Sequence, residues 1–348
     1  MKKALSIMLA VIMIASLVTG CSEQTKGGQT PPPPPEKSTI TVAWYPNESG
    51  AELADARKEI GMMIEKATGK KVEHKTTTDY LIVIEAIVNG NVDIAYTGAE
   101  GYIQAHNKNN KVVPLFVNSG SSGTLDDATY YAWLCVRKGE EDQYKDGDTF
   151  KIDNIQDKKF SFVSNSSTSG FRVPSAGITN YFTKMDSWKN LTVEDLLEAG
   201  SFFSEVLFGG SHQGSAVNLL SGRADVAAVC DTCIFNYIEH ISGTHNRPGA
   251  VYRVKDDADE PFNTMPGKEF VVISSTPVLN APFIYNSESL SAEDVAKILS
   301  VATSDEVANN EKIFVPKDSQ HKGLYRQGMR FLKIEDSWFN PIRALSAQ

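Results

Sequence analysis

Past residue 18, this chain of 348 residues has no apolar run approaching the roughly 20 residues that a membrane-spanning helix requires. Basic clusters are missing as well. The 34 Lys and Arg stand against 43 Asp and Glu, for a net charge of −9, which argues against nucleic acid as a partner. Any anion bound here must be held by local dipoles and hydrogen bonds, because the overall field opposes it. Cysteine is scarce, and beyond Cys21 its number is odd: Cys135, Cys230 and Cys233. Cys230-Asp231-Thr232-Cys233 has redox-motif spacing, but no second pair completes a zinc set and the chain is the wrong size for a thioredoxin domain. Cys135, in the apolar stretch 130–136, reads as a small buried hydrophobe. Hydrolytic machinery is also lacking. Gly209-Gly210-Ser211-His212-Gln213 has no second glycine for a nucleophile elbow, and no His–Asp–Ser set is legible from spacing. His240 and His245 have no companions that make a convincing metal set, so neither metal nor cofactor is expected.

What the sequence does contain begins at its first residues. Lys2 and Lys3 precede an apolar region over 4–18, and Leu17-Val18-Thr19-Gly20-Cys21 places small residues before a thiol. That order is an export signal, 1–21, ending in a lipidation site at Cys21 and resembling the lipobox of bacterial lipoproteins. An uncleaved anchor is the competing reading, but the run is short for one. Loss of Lys2 and Lys3 with the signal makes the chain two units more negative. Residues 22–37 are polar, Gly-containing and then carry five prolines, 31–35, which favour an extended spacer over helix or sheet. The expected location is the extracytoplasmic face of a cell membrane, with Cys21 as tether.

The remaining 311 residues are too many for one ordinary core and suit two lobes. Strands are expected at Thr39–Trp44, Lys71–Thr76, 92–96, 111–117 and 130–136, with helices at 51–68 and Tyr80–Val88, the latter capped by Asp79. The second half repeats the plan, with strands at 160–163, 204–208 and 224–229 and helices near 175–183 and 215–220. Two segments echo each other, 86–96 (AIVNGNVDIAY) and 218–229 (NLLSGRADVAAV), each a helix end, a Gly turn, an Asp and a buried strand. Segments 270–273 and 283–285 read as returning strands. Strands alternating with helices imply an α/β protein with parallel sheets covered on both faces.

Ligands of such sheets gather at the carboxyl ends of strands, where helix N-termini point. Ser166-Ser167-Thr168-Ser169-Gly170 lies there, offering hydroxyls and free N–H groups suited to a tetrahedral oxyanion. Helix capping accounts for one or two of these residues, not five. His212, at another helix start, has the right place to donate to the same anion; a solvent-bonded helix residue is the bland alternative. Tyr80 and Tyr130 offer donors without charge, and Tyr96 ends a buried strand on the same side, although each ring taken singly suits a half-buried core position.

Thr77-Thr78-Asp79-Tyr80, Val92-Asp93-Ile94-Ala95, Ser166-Ser167-Thr168-Ser169-Gly170 with Pro174, Gly210-Ser211-His212 and Ala224-Asp225-Val226-Ala227 occur in order behind the lipobox. Together they resemble the phosphate/phosphite/phosphonate-binding proteins of bacterial ABC transporters, from about residue 39 to Arg343 and including Asp336-Ser337-Trp338-Phe339-Asn340-Pro341-Ile342-Arg343. The resemblance implies a two-lobed type II periplasmic-binding fold, with parallel-rich sheets joined by crossing hinge strands. The lobes are expected over 38–135 with 275–348, and over 136–274. It implies oxyanion contacts from Ser167, Thr168, Ser169 and His212, with Tyr80 and Tyr130 lining the cleft, and an ABC permease as partner of a monomeric, non-enzymatic chain. Relatives that take aminoalkylphosphonates place carboxylates opposite the anion. Here Asp231 stands near one such position, and the hinge 276–282 has no acid. The expected ligand is therefore a small phosphorus oxyanion with no required amine. A sensor or adhesive surface lipoprotein on the same fold is the alternative function.

Overall fold

The computed structural model describes residues 37–317, 319 and 321–345; Cys21, the signal and the linker up to residue 36 lie outside the described residues. The first sheet begins with β1 (Thr39–Trp44), β2 (Lys71–Thr76), β3 (Ile94–Tyr96) and β4 (Val112–Asn118), interleaved with α1 (Ala54–Thr68), α2 (Tyr80–Val88) and α3 (Ala99–Lys108). β5 (Thr129–Arg137) crosses into a second sheet. A small hairpin of β6 (Lys145–Asp146) and β7 (Thr149–Phe150) follows, then β8 (Lys159–Phe162), α4 (Val173–Phe182), β9 (Glu205–Phe208), α5 (His212–Leu220) and β10 (Val226–Cys230). A short helix α6 (Asp231–Ile234) leads to β11 (Ile238–Ser242), β12 (Val251–Val254) and the long β13 (Glu269–Leu279). The chain returns to the first sheet through β14 (Pro282–Asn286). It ends with α7 (Ala292–Ala302), α8 (Asp305–Ala308), the pair β15 (Phe314–Val315) and β16 (Tyr325–Arg326), β17 (Phe331–Lys333) and α9 (Asn340–Ala344).

Local chemistry sets these boundaries. Asp79 is extended and its carboxylate accepts from the Leu81 N–H at 2.7 Å, which fixes the start of α2 and places Tyr80 in its first turn. α1 stops at Gly69, whose positive φ of 72° lets its N–H close on the Glu65 carbonyl. In β10, Val226 and Ala228 pack on one face of the sheet while Ala227 and Val229 pack on the other. β5 does the same with Leu134 and Val136 against Trp133 and Cys135. Strands buried on both faces read as continuous apolar runs, as these do.

Sheet one has the order β17-β4-β14-β3-β1-β2, and sheet two the order β11-β12-β13-β5-β10-β8-β9. Within these two sheets parallel pairing is confined to β2-β1-β3 and β9-β8-β10, and the other neighbours are antiparallel; the separate pair β15 and β16 is parallel. The sheets are mixed, which corrects the expectation of parallel-rich sheets. Strands that follow a crossover helix run parallel, whereas β5, β13 and β14 pass between the sheets without one. The two echoing segments end in β3 and β10, and these hold equivalent places. Each is parallel to the first strand of its triplet and antiparallel to an incoming hinge strand, β14 or β5. By sheet membership the chain changes sheets between Asn118 and Thr129 and again between Leu279 and Pro282. Among the described residues, no helix is long and apolar enough to cross a membrane.

The carboxyl ends of both triplets face each other, and there the lobes touch. α3 was not foreseen from the sequence, yet its start carries much of the contact. The Glu100 N–H donates to Thr168 Oγ1 at 2.9 Å, Arg172 forks onto Glu100 at 2.9 and 3.1 Å, and Ser166 donates to Gln104 at 2.7 Å. A Cβ on Gly98 would sit 2.7 Å from Thr168 Oγ1, although the Gly98 backbone (φ −79°) suits any residue. Gly98→Ala is therefore expected to part the lobes, giving a larger radius of gyration by small-angle scattering with unchanged circular dichroism. An unchanged radius would mean that the contact yields by side-chain rotation alone.

Candidate functional site

Six strand ends supply the cleft. Tyr45, Asn47 and Glu48 follow β1, Tyr80 follows β2, and Thr97 and Gly98 follow β3. From the other side come the serine segment after β8, His212 after β9 and the Cys230–Cys233 loop after β10.

The serine segment turns in an unusual way. Ser167 is extended and its hydroxyl accepts from the Gly170 N–H at 3.0 Å, while the Arg172 N–H reaches five residues back to the Ser167 carbonyl. This single π-type turn, 168–172, runs directly into α4, where Pro174 has no N–H to lose. Such a widened first turn leaves amides pointing outward at a helix start. Ser167, Thr168 and Ser169 are each buried. The segment's one cation, Arg172, is committed to Glu100, so the donors facing the cleft are neutral.

His212 faces the same point. Its Nε2 lies 3.4 Å from Ser167 Oγ and 3.3 Å from Ser169 Oγ, and its backbone N–H donates to Asn47 Oδ1 at 2.9 Å. Burial holds its imidazole neutral, with a pKa lowered to about 3. Asn47 completes a bridge between the lobes. Its carbonyl accepts from Gln213 Nε2 at 3.0 Å, and its Nδ2 donates to the Tyr80 hydroxyl at 2.6 Å. Burial, with Glu48 alongside, pushes the Tyr80 phenol far up, and burial with Asp231 and Glu48 nearby does the same for Tyr130 against the hydrogen bonds of Ser169 and Thr168. Both stay neutral donors at any physiological pH. The Tyr96 ring packs on Trp44 and Phe283, and its phenol is pushed up by burial beside Tyr325 and Glu48.

The structure thus brings Tyr80, Tyr130, Ser167, Thr168, Ser169 and His212 to one place, with Tyr96 at its margin. Asp231 is differently engaged. Oδ1 accepts from the Tyr131 N–H at 2.8 Å and the Thr232 N–H at 2.7 Å, and Oδ2 accepts from Asn246 at 3.0 Å. Burial raises its carboxyl to about 6 against those bonds, one of which ties it to the hinge strand. Tyr45, Asn47, Glu48, Gly98 and Gln213 were missed. The strand-end rule that selected Ser167 applies equally to residues 45–48, because β1 ends at Trp44.

Six buried polar atoms around the cleft have no hydrogen-bond partner among the described residues: Tyr45 OH, Glu48 Oε2, Thr97 Oγ1, His212 Nδ1, Gln213 Oε1 and Tyr325 OH. Buried polar groups ordinarily find partners, so a cluster of six marks a place built to take a polar ligand. Cys230 and Cys233 form a disulfide beside it, and Cys135 is free and buried, as its apolar stretch implied.

Residues 42–330 match the family described as ABC transporter, phosphonate, periplasmic substrate-binding protein. The chain belongs to this family. It is a family of transporter substrate-binding proteins, not of enzymes. A curated relative, the phosphate-import protein PhnD of Mycolicibacterium smegmatis, is 31% identical over 228 residues, and the match spans 65% of each chain. Among solved structures, PhnD1 of Prochlorococcus marinus in complex with methylphosphonate superposes with a TM-score of 0.61 at 13% identity, covering 89% of this chain and 97% of that one. A binding-protein component of an ABC phosphonate transporter from Pseudomonas aeruginosa gives 0.60 at 18%, covering 88% and 85%. At these identities the structures establish the shared two-lobed fold.

Glu48 provides a test of the site's electrostatics. It is 8% exposed, and burial raises its carboxyl from 4.5 to about 8 despite its own backbone hydrogen bond and the nearby Arg57. Between these values the folded chain keeps a proton that the unfolded chain has lost. The stability supplied by neutral Glu48 is therefore full below about pH 4.5 and declines as pH rises toward 8, by at most about 1.4 kcal/mol per pH unit. Urea unfolding of wild type and Glu48→Gln at pH 5, 6, 7 and 8 should show the wild type losing ground to the variant as pH rises. A constant difference would mean that Glu48 ionises like an exposed carboxyl.

Proposed function

We propose that this protein is the lipid-anchored solute-binding component of an ABC importer, closing its two lobes on a small phosphorus oxyanion and presenting it to a membrane permease. The observation that carries the reading is the convergence of Ser167, Ser169 and His212 Nε2 within 3.4 Å, at the start of a helix and against the opposing lobe. Three oxygens of a tetrahedral anion suit that set of neutral donors. Family membership over residues 42–330 and the phosphate-import relative support the same ligand class.

The pocket opposite the anion is electrically quiet. Both Asp231 oxygens are occupied, the hinge 276–282 has no acid, and Glu48 holds its proton near neutral pH. Phosphate, phosphite and methylphosphonate are the expected ligands, without a required amine. Ser167 also caps its turn and Thr168 also joins the lobes, so Ser169→Ala is the cleaner test. Calorimetry should show its affinity for these ligands falling about ten- to a hundredfold, the loss of a hydrogen bond to charge, with little change in unfolding temperature. Undiminished binding would remove the serine segment from the site. In the same series, 2-aminoethylphosphonate is expected within a few-fold of methylphosphonate, in wild type and in Asp231→Asn alike. If the amino compound binds much the tightest and loses that advantage in Asp231→Asn, Asp231 is an amine partner.

The tether follows from the signal-like order of residues 1–21. Cys21→Ala should release the protein from membranes or leave the precursor uncleaved. Normal processing and membrane retention in that variant would end the anchor proposal.

A further inference from the structure

The Cys230–Cys233 disulfide lies beside the imidazole assigned above to the anion. An imidazole nitrogen of His212 and the two sulfur atoms fall within 4.8 Å of one another. Nε2 faces the hydroxyls of Ser167 and Ser169, whereas Nδ1 is buried and has no partner among the described residues. Gln213, the next residue, ties this loop to lobe closure, since its Nε2 donates both to the Asn47 carbonyl and to the Cys233 carbonyl at 3.2 Å. We propose that the Cys230–Cys233 pair is a redox site whose state sets the strength of anion binding through His212 Nδ1. This rests on the reading of Ser167, Ser169 and His212 as the anion end of the cleft.

The pair is arranged for exchange. Cys233 is partly exposed, while Cys230 is buried, so an incoming thiolate meets Cys233 first. Attack by a dithiol reductant at Cys233 Sγ breaks the bridge, forms a mixed disulfide and releases Cys230 as thiolate. The reductant's second thiol then displaces Cys233 and leaves as a cyclic disulfide. The protein pair has gained two electrons and two protons, and the dithiol has lost them. Cys230 is a suitable leaving group, because its sulfur already accepts from the Cys233 N–H at 3.2 Å and lies 3.2 Å from the Thr232 hydroxyl. Free Cys135 is buried in the sheet and takes no part.

The consequence falls on the histidine tautomer. In the disulfide state neither sulfur carries a proton, so nothing from that side satisfies Nδ1 or decides which ring nitrogen is protonated. In the dithiol state a proton is shared between Cys230 sulfur and Nδ1, and the ring's other proton is held on Nε2, aimed at the serines. A partner on one imidazole nitrogen fixes the role of the other. Reduction therefore strengthens the anion end.

The test uses purified full-length protein, with and without a dithiol reductant. Calorimetry with methylphosphonate and inorganic phosphate should show binding about tenfold tighter after reduction, the scale of one satisfied buried hydrogen bond. The double variant Cys230→Ala, Cys233→Ala should ignore the reductant. Nitrogen-15 spectra of labelled histidine, with His212→Gln to assign the signal, should show the Nδ1 resonance moving on reduction. Equal affinities in the two states together with an unmoved Nδ1 signal would overturn the proposal. If neither anion binds in either state, the transport reading fails, and the Nδ1 signal alone decides: movement sustains the redox coupling and no movement ends it.

Discussion

The hydrogen bond from the His212 backbone to Asn47 is the constraint on which the closed site depends. It joins the start of α5 in one lobe to the loop after β1 in the other, and both groups are buried. The same asparagine orients Tyr80 and accepts from Gln213, so one side chain and its carbonyl position three donors. Breaking it would leave buried polar groups on both sides without partners, each costing about 1–3 kcal/mol. The Thr168–Glu100 and Arg172–Glu100 contacts close the far side of the same seam. Closure and assembly of the cleft are one event, because the groups that line it are those that meet across the lobes.

Neutral donors suit this chain better than cations would. A lysine or arginine buried in the cleft needs a counter-charge until ligand arrives, as Arg172 finds in Glu100. Hydroxyls, amides and an imidazole held neutral by burial incur no such cost. Hydrogen bonds to a charged group contribute about 1.5–3 kcal/mol each, so four give about 6–12 kcal/mol. Micromolar binding needs about 8 kcal/mol. A neutral site on an acidic protein can thus hold an anion tightly, provided the geometry is fixed beforehand. The disulfide loop, the Asn47 bridge and the widened turn at 168–172 each fix part of it.

Much of this was legible in the residues. β1, β2 and α2 fall where alternation, β-branching and the Asp79 cap place them, since local signals there agree with burial. Ser167 and His212 were found because hydroxyls and imidazole before a helix leave a pattern in sequence. Residues 45–48 leave none: Tyr-Pro-Asn-Glu reads as an ordinary turn, and only the opposing lobe makes Asn47 important. Asp231 was ambiguous for the same reason, as its partners Tyr131 and Asn246 are distant in sequence. The mixed character of the sheets was also hidden, because strand direction at a hinge depends on how the chain crosses between lobes.

The repeated plan explains why the site sits where it does. In each lobe a parallel triplet sends its strand ends and helix starts toward one edge, and the third strand, β3 or β10, borders a hinge crossing. Facing two such edges puts six strand ends around a single volume. The hinge strands β5 and β13 pair along almost their full length, from Thr129 opposite Leu279 to Arg137 opposite Phe270, including Tyr130 opposite Val278. Tyr130 therefore belongs to the hinge and to the cleft at once. His212 and the serine turn, by contrast, come from strand ends beyond the hinge pair, after β9 and β8. One wall of the cleft is thus built by the strands that join the sheets and the other by a single lobe, a division that follows from the sheet order.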